Sequence, residues 1–120
     1  MSKKTLVLGA SLKEIRYSNM AIKSLRRNSV EVVAVGLREG TVVDVKINTG
    51  KPDFKNIHTV TLYLNPKRQE QYYDYIISLQ PHRVIFNPGT ENPEFYEILE
   101  KNSVEVEVAC TLVMLNTSQY

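Results

Sequence analysis

The chain has 120 residues, 42% of them hydrophobic and 23% charged, with a net charge of +2. That length suits one domain over residues 1–120, able to bury about two-thirds of its unfolded surface. The mild charge and the lack of any Lys/Arg cluster argue against a nucleic-acid partner, and a single cysteine, Cys110, excludes an internal disulfide or a Cys-rich zinc site.

Met1-Ser2-Lys3-Lys4 leads straight into a strand-like segment without a signal-peptide core. The longest mainly apolar run, Val108 to Leu115, is far shorter than the ~18 residues of a membrane span. Both point to a cytoplasmic protein with no membrane partner.

Thr5 to Leu8 reads as a buried strand, short, apolar and closed by Gly9. Ser18 suits the cap of a helix running to about Asn28, with Ala21 and Leu25 inward. Glu31 to Val35 is a second strand, ended by Gly36. Thr41 to Ile47 alternates and predicts a short edge strand, and 48–56 predicts a loop. His58 to Leu64 is the next strand. Asn65-Pro66 then opens a helix, because asparagine caps well and proline fits the first helical position. Tyr72, Tyr73, Ile76 and Leu79 continue it at helical spacing to Pro81. His82 to Phe86 is a strand, Asn87 to Glu91 a turn, and Asn92-Pro93 a second helix start with Phe95, Ile98 and Leu99 as its apolar stripe. Val104 to Val108 is the last strand, and Cys110 to Leu115 starts a terminal helix.

Strands alternating with helices, and inner strands that are nearly all apolar, predict an α/β fold with a mainly parallel sheet covered on both faces. With right-handed crossovers this is a doubly wound, three-layer Rossmann-like sheet of five or six strands. Every strand-to-helix loop then leaves at one edge, where ligands of open α/β sheets bind. Gly9-Ala10-Ser11, Gly36-Leu37-Arg38, Asn65-Pro66, the stretch 87–92 and Ala109-Cys110-Thr111 all fall there. Helix starts at that edge offer free N–H groups and a positive dipole end, which suit phosphate.

The first loop lacks the G-x-G-x-x-G fingerprint, since Gly9 is its only glycine. The second strand ends Ala34-Val35-Gly36 without the carboxylate that holds the ribose of NAD, and Arg38 follows. A basic residue there suits a phosphorylated ribose. NADP and coenzyme A both carry one.

Four stretches, "VLGAS", "RYSNMAIKSL", "TVTLYLNPKRQEQYYDYI" and "RVIFNPGTENPE" with "VEVACTLVML", resemble the small CoA-binding proteins with a Rossmann-like domain. They are similar to the CoA-binding domain of the succinyl-CoA synthetase α subunit. The stretches span nearly the whole chain in the expected order. The resemblance implies that coenzyme A or an acyl-CoA is the ligand. It places Gly9, Ala10 and Ser11 under the diphosphate, with Tyr17 and Ser18 at the following helix start. Gly36 and Arg38 would lie near the adenosine end. Leu62, Tyr63, Leu64 and Asn65 would floor the crevice by the pantetheine. Asn87, Pro88 and Gly89 match the loop after the next strand, and Cys110 the cysteine after the last. Arg38, Arg16 or Lys13 would be the cationic partners. The chain departs from the family at two loops: Gly36-Leu37-Arg38 stands where Asn-Pro and a basic residue are common, and Asn87-Pro88-Gly89 replaces a Gln-containing loop.

Catalysis has little to rest on. His58 and His82 fall at strand starts, on the edge opposite the ligand loops. Cys110 sits near a helix start, which can lower a thiol's pKa. Glu91, Glu94, Glu97 and Glu100 read as a solvated face. The tyrosines Tyr72, Tyr73 and Tyr75 divide between core and surface, where a homodimer contact has room. The sequence therefore points to a non-catalytic sensor, carrier or regulator. The alternatives are an NADP-type or other nucleotide-binding protein, a thiol-dependent acyl transfer at Cys110, and an interaction module without ligand.

Overall fold

The computed structural model describes residues 3–120; Met1-Ser2 lies outside the described residues. One sheet runs through the molecule in the order β3-β4-β2-β1-β5-β6-β7. β1 (Thr5–Ala10) lies at its centre, between β2 (Val32–Gly36) and β5 (Thr59–Leu62), and is parallel to both. β6 (Arg83–Phe86) and β7 (Glu105–Val108) continue the parallel order beyond β5.

Among the described residues the sheet has seven strands, against the five or six expected. The difference lies in residues 40–48. The alternation reads as one edge strand, but the chain doubles back there into a hairpin of β3 (Gly40–Val42) and β4 (Val45–Asn48), paired Val42 to Val45. Its two turn residues are Val43 and Asp44, not the Asn-Gly type that marks such turns in sequence. Asp44 accepts two bonds from Arg26, from Nε at 2.9 Å and Nη2 at 2.8 Å. That ties the turn to α1 (Tyr17–Arg27).

Side chains alternate across the strands, so each strand feeds two cores. Leu6, Leu8, Val60, Leu62, Val84 and Phe86 pack under α3 (Tyr73–Leu79) and α4 (Pro93–Lys101), through Tyr75, Ile76, Phe95 and Leu99. Val7, Ala34 and Ile47 pack on the other face with Ile22 and Leu25 of α1 and Leu115 of α5 (Thr111–Asn116).

Two helix starts follow the Asn-Pro signal. Asn65 accepts from the Arg68 N–H at 2.9 Å, and Asn92 from that of Phe95 at 3.3 Å, each with proline in the first turn. The helix after Asn65 is not continuous as the spacing predicts. α2 (Pro66–Gln69) gives way to a 3-10 turn at Glu70–Tyr72 before α3. The break follows Gln69, whose fully buried side chain is held in place by three hydrogen bonds. Nor does Ser18 cap α1. Arg16 stands at the cap position without a side-chain bond, and Ser18 is buried inside the first turn.

Buried amides frame the loops at the C-terminal edge. Asn87 donates to Thr61 Oγ1 at 2.7 Å and to the Leu62 carbonyl at 2.9 Å, and accepts from the Thr111 N–H at 2.9 Å. One side chain thereby joins β5, the loop after β6 and the start of α5. Gln69 Nε2 donates to the carbonyls of Leu64 and Thr90, both at 2.8 Å, and its Oε1 accepts from Asn92 at 2.9 Å. Asn92 also donates to Tyr73 Oη at 2.8 Å.

The opposite edge holds the histidines. His58 and His82 stack at 4.8 Å, and His58 Nδ1 lies 2.8 Å from Thr59 Oγ1. Burial pushes the His58 pKa below 6.5, and the neighbouring His82, Arg83 and Lys3 push it the same way.

Replacing Asn87 by alanine leaves the Leu62 carbonyl and the Thr111 N–H buried without partners, so urea unfolding should show a loss of about 3 kcal/mol. A His58 held neutral in the fold contributes stability above the ordinary histidine pKa that is lost as pH falls through its lowered value. Thermal unfolding between about pH 7.5 and pH 5 should therefore show a decline on the acid side that His58→Gln lessens.

Candidate functional site

β1 is the switch point of the sheet, because the chain builds outward to β2 and β4 on one side and then returns to β5 on the other. The loops after β2 and β5 therefore diverge and leave a crevice above β1. A cleft of about 720 Å³ occupies that place, within the range of small-molecule sites.

Its floor depends on two glycines. Gly9 has a φ of 96°, and a Cβ there would stand 3.0 Å from the Tyr63 carbonyl carbon. The strand bulges at this point, between Leu8 and Ala10. The bulge shifts the alternation, so that Ala10 falls on the same face as Val7. At Gly36 a Cβ would meet the Ala10 carbonyl oxygen at 2.2 Å. The ends of β1, β2 and β5 thus close together without side chains between them.

The loop that follows is pinned at both ends. Asn19 Nδ2 donates to the Ser11 carbonyl at 3.0 Å, and Ser11 Oγ accepts from the Lys13 N–H at 3.1 Å. The Ser11 hydroxyl proton stays available to a ligand. α1 begins immediately beyond, with no side-chain cap and no acidic residue in its first turn. Its orphan N–H groups and positive dipole end face the cleft beside Arg16, Tyr17 and Ser18.

The structure brings most of the expected residues to this one cleft. Gly9, Ala10, Ser11, Arg16, Tyr17, Ser18, Arg38, Tyr63, Leu64, Asn65, Pro88 and Gly89 all line it, and Lys13 with them. Gly36, Leu62, Asn87 and Cys110 do not line it. Gly36 lies beneath, as the contact for Ala10. Leu62 points into the core under α3 and α4, on the face that strand alternation assigns to it. The side chain of Asn87 is taken up by its three internal bonds. Cys110 stands at the start of α5 and is partly buried. Tyr63 is buried enough for its phenol to be pushed up to about 12, so it remains protonated at neutral pH.

Leu37 and Thr90, from two loops expected at this edge, line it as well, and so do Leu12 and Arg68, which were not expected there. Leu12 lies over Gly40, whose Cβ would stand 2.6 Å from it. Arg68 has a signal in retrospect, as the third residue of the helix turn that Asn65 caps.

Among the described residues, four cationic ones line the cleft, Lys13, Arg16, Arg38 and Arg68, and no acidic one does. Among the described residues none of the four has a carboxylate partner; the ion pairs are made by Lys4, Lys23, Arg26, Lys55 and Arg83. Such a lining suits an anion of several charges. Among the described residues no cluster of three or more His, Cys, Asp or Glu side chains could hold a metal. No helix among them is long and apolar enough to cross a membrane.

Comparison with solved structures agrees with the topology. A crystal structure of an uncharacterized protein is 45% identical, with a TM-score of 0.96 over 100% of this chain and 99% of that one. A hypothetical protein from Pyrococcus horikoshii OT3 is 25% identical, with a TM-score of 0.86 over 97% of this chain and 83% of that one. The cell-free ID.343 protein from Thermus thermophilus shares the fold at 20% identity, with a TM-score of 0.86 over 99% and 91% of the two chains. A search of curated proteins returned no match. A family model described as a CoA binding domain matches residues 3–116. Matched over nearly its whole length, the chain belongs to the family of CoA-binding domains.

Proposed function

We propose that this protein binds coenzyme A or an acyl-CoA in the cleft above β1, as a non-catalytic sensor, carrier or regulator. The observation that carries the reading is the cationic lining, with no carboxylate, around the uncapped start of α1. Coenzyme A presents a diphosphate and a phosphorylated ribose, the two kinds of charge such a lining suits.

The diphosphate would rest on Gly9 to Ser11 and the first turn of α1, where N–H groups, the Ser11 hydroxyl, Lys13 and Arg16 converge. The ribose phosphate would meet Arg38, beyond the end of β2. The pantetheine would cross Tyr63, Leu64 and Asn65 toward Pro88 and Gly89. A bare dinucleotide of the NAD type fits less well, since the second strand ends without a carboxylate and a cation follows it. Cys110 does not line the cleft, so thiol-dependent acyl transfer finds no support in its position.

Calorimetry with CoA, dephospho-CoA, NADP, NAD and ATP tests this reading. CoA should bind more tightly than dephospho-CoA. Arg38→Gln should weaken CoA about tenfold, the lower end of a hydrogen bond to a charged group, and should change dephospho-CoA by less than about twofold. No heat with CoA at millimolar concentration would sink the proposal, and tighter binding of NADP than of CoA would transfer it to another nucleotide.

A further inference from the structure

In the CoA reading, three of the four cations at the cleft have a phosphate to meet: Lys13 and Arg16 the diphosphate, Arg38 the ribose phosphate. Arg68 has none. The strand order fixes its place. β5 is a parallel neighbour of β1, about 4.8 Å away, so the loop after β5 runs beside the loop that ends β1. The two are in contact. A Cβ on Gly9 would stand 3.0 Å from the Tyr63 carbonyl carbon and 3.1 Å from Leu64 Cδ2. The helices that follow go to opposite faces of the sheet. α1 packs on one face through Ile22 and Leu25, and α2 leads into α3, which packs on the other through Tyr75 and Ile76. Lys13 and Arg16 therefore flank the end of β1 from the α1 side, and Arg68 flanks it from the β5 side.

The turn that carries Arg68 is locked to the contact at Gly9. The Arg68 N–H is bonded to Asn65 Oδ1 at 2.9 Å, and the Gln69 N–H to the Asn65 carbonyl at 3.1 Å. The fully buried Gln69 side chain donates at 2.8 Å to the carbonyl of Leu64, the residue that touches Gly9. Among the described residues the Arg68 guanidinium has no carboxylate partner. Glu91, in the next loop, accepts from the Gly89 N–H at 2.8 Å instead and does not line the cleft. Lys67, one residue before Arg68, does not line it either.

We propose that Arg68 grips the diphosphate from the β5 side, which leaves it clamped between Arg68 and the pair Lys13 and Arg16. This rests on the CoA reading. A diphosphate bears charge on both phosphates and presents oxygens to both sides. The N–H groups of Ser11 and the first turn of α1 meet one side, and the other would face water. The Arg68 fork supplies donors there, matched to phosphate oxygens by two parallel hydrogen bonds. The hold falls on the part that CoA shares with dephospho-CoA and with every acyl-CoA, whereas Arg38 reads the ribose phosphate.

Calorimetry of the whole protein with CoA and with dephospho-CoA, at two salt concentrations, tests the clamp. Arg68→Gln should weaken both ligands by the same factor, about tenfold, the lower end for a hydrogen bond to a charged group. The CoA affinity of this variant should also fall less with salt than that of the wild type. Arg68→Lys should recover part of the loss. Lys67→Gln removes the same charge one residue away and should leave CoA within about twofold. The melting temperature of Arg68→Gln should match the wild type; a lowered one, with no recovery in Arg68→Lys, would assign the loss to folding of the turn. A loss with CoA alone would move Arg68 to the ribose phosphate, and a loss with unchanged salt dependence would move it to the uncharged pantetheine. Either would overturn the clamp. Equal CoA binding by the wild type and Arg68→Gln would also overturn it and leave the CoA reading standing. If the wild type did not bind CoA, that reading would fall and the clamp with it.

Discussion

The site depends on one constraint, the close approach of the central strand's end to both of its neighbours. At Gly9 a Cβ would press on the Tyr63 backbone at 3.0 Å and on a φ of 96° that disfavours any side chain, and at Gly36 the Ala10 carbonyl leaves no room for one. These contacts do different things. The positive φ at Gly9 produces the bulge that turns Ala10 and Ser11 toward α1. The bare Cα at Gly36 lets the redirected carbonyl settle against β2. A side chain at either place would push the strand ends apart, and the loop would no longer lie over the start of α1. A single-glycine loop suffices here because the second glycine that the geometry needs comes from the neighbouring strand.

Around that floor the walls are held by side-chain amides rather than by apolar packing. Asn87, Gln69 and Asn92 are all buried, and the bonds they make bridge elements distant in sequence. A buried amide is costly unless its donors and acceptors are met. Met, it fixes direction as well as distance, which apolar contact does not. The loops after β5 and β6 would otherwise carry unpaired carbonyls at Leu64 and Thr90, which Gln69 satisfies together. The cleft is thereby pre-formed, and a ligand entering it need not pay to order those loops.

Periodicity made the frame of this molecule readable from its residues. Buried parallel strands such as Leu6-Val7-Leu8 and Val84-Ile85-Phe86 are continuous apolar runs, and Asn65-Pro66 and Asn92-Pro93 carry helix starts in the side chains that cap them. Legibility fails where tertiary contacts decide. The hairpin turn at Val43-Asp44 has neither glycine nor asparagine; Val43 takes a φ of 58°, unfavourable for a branched side chain, and Arg26 holds Asp44 across the gap. Ser18 looks like a cap but is drawn into the interior. Asn87 sits among loop residues and is absorbed by the frame, whereas Pro88 and Gly89 beside it face the cleft. Leu62 is the last residue of β5 and faces the core, whereas Tyr63 and Leu64 follow the strand's end and reach the cleft. Arg68 is set apart from Lys67 only by its place three residues after Asn65, where the cap bond fixes its backbone at the cleft.

The distribution of charge follows from the same geometry. Elsewhere on the surface Arg26, Lys23 and Lys4 have carboxylates within reach, and the nearly buried Arg83 is held by Glu107 and by the ring of Tyr120. Among the described residues the cations at the cleft have none. Lys13, Arg16, Arg38 and Arg68 are exposed, so water and salt screen their mutual repulsion. A polyanion entering the cleft would displace that solvent and meet the lysine, the arginines and the α1 dipole end together. The unpaired cations therefore cost the free protein little and strengthen in effect as the ligand excludes water. Paired carboxylates in the lining would have added little stability at this exposed position and would have competed with the ligand for every one of those contacts.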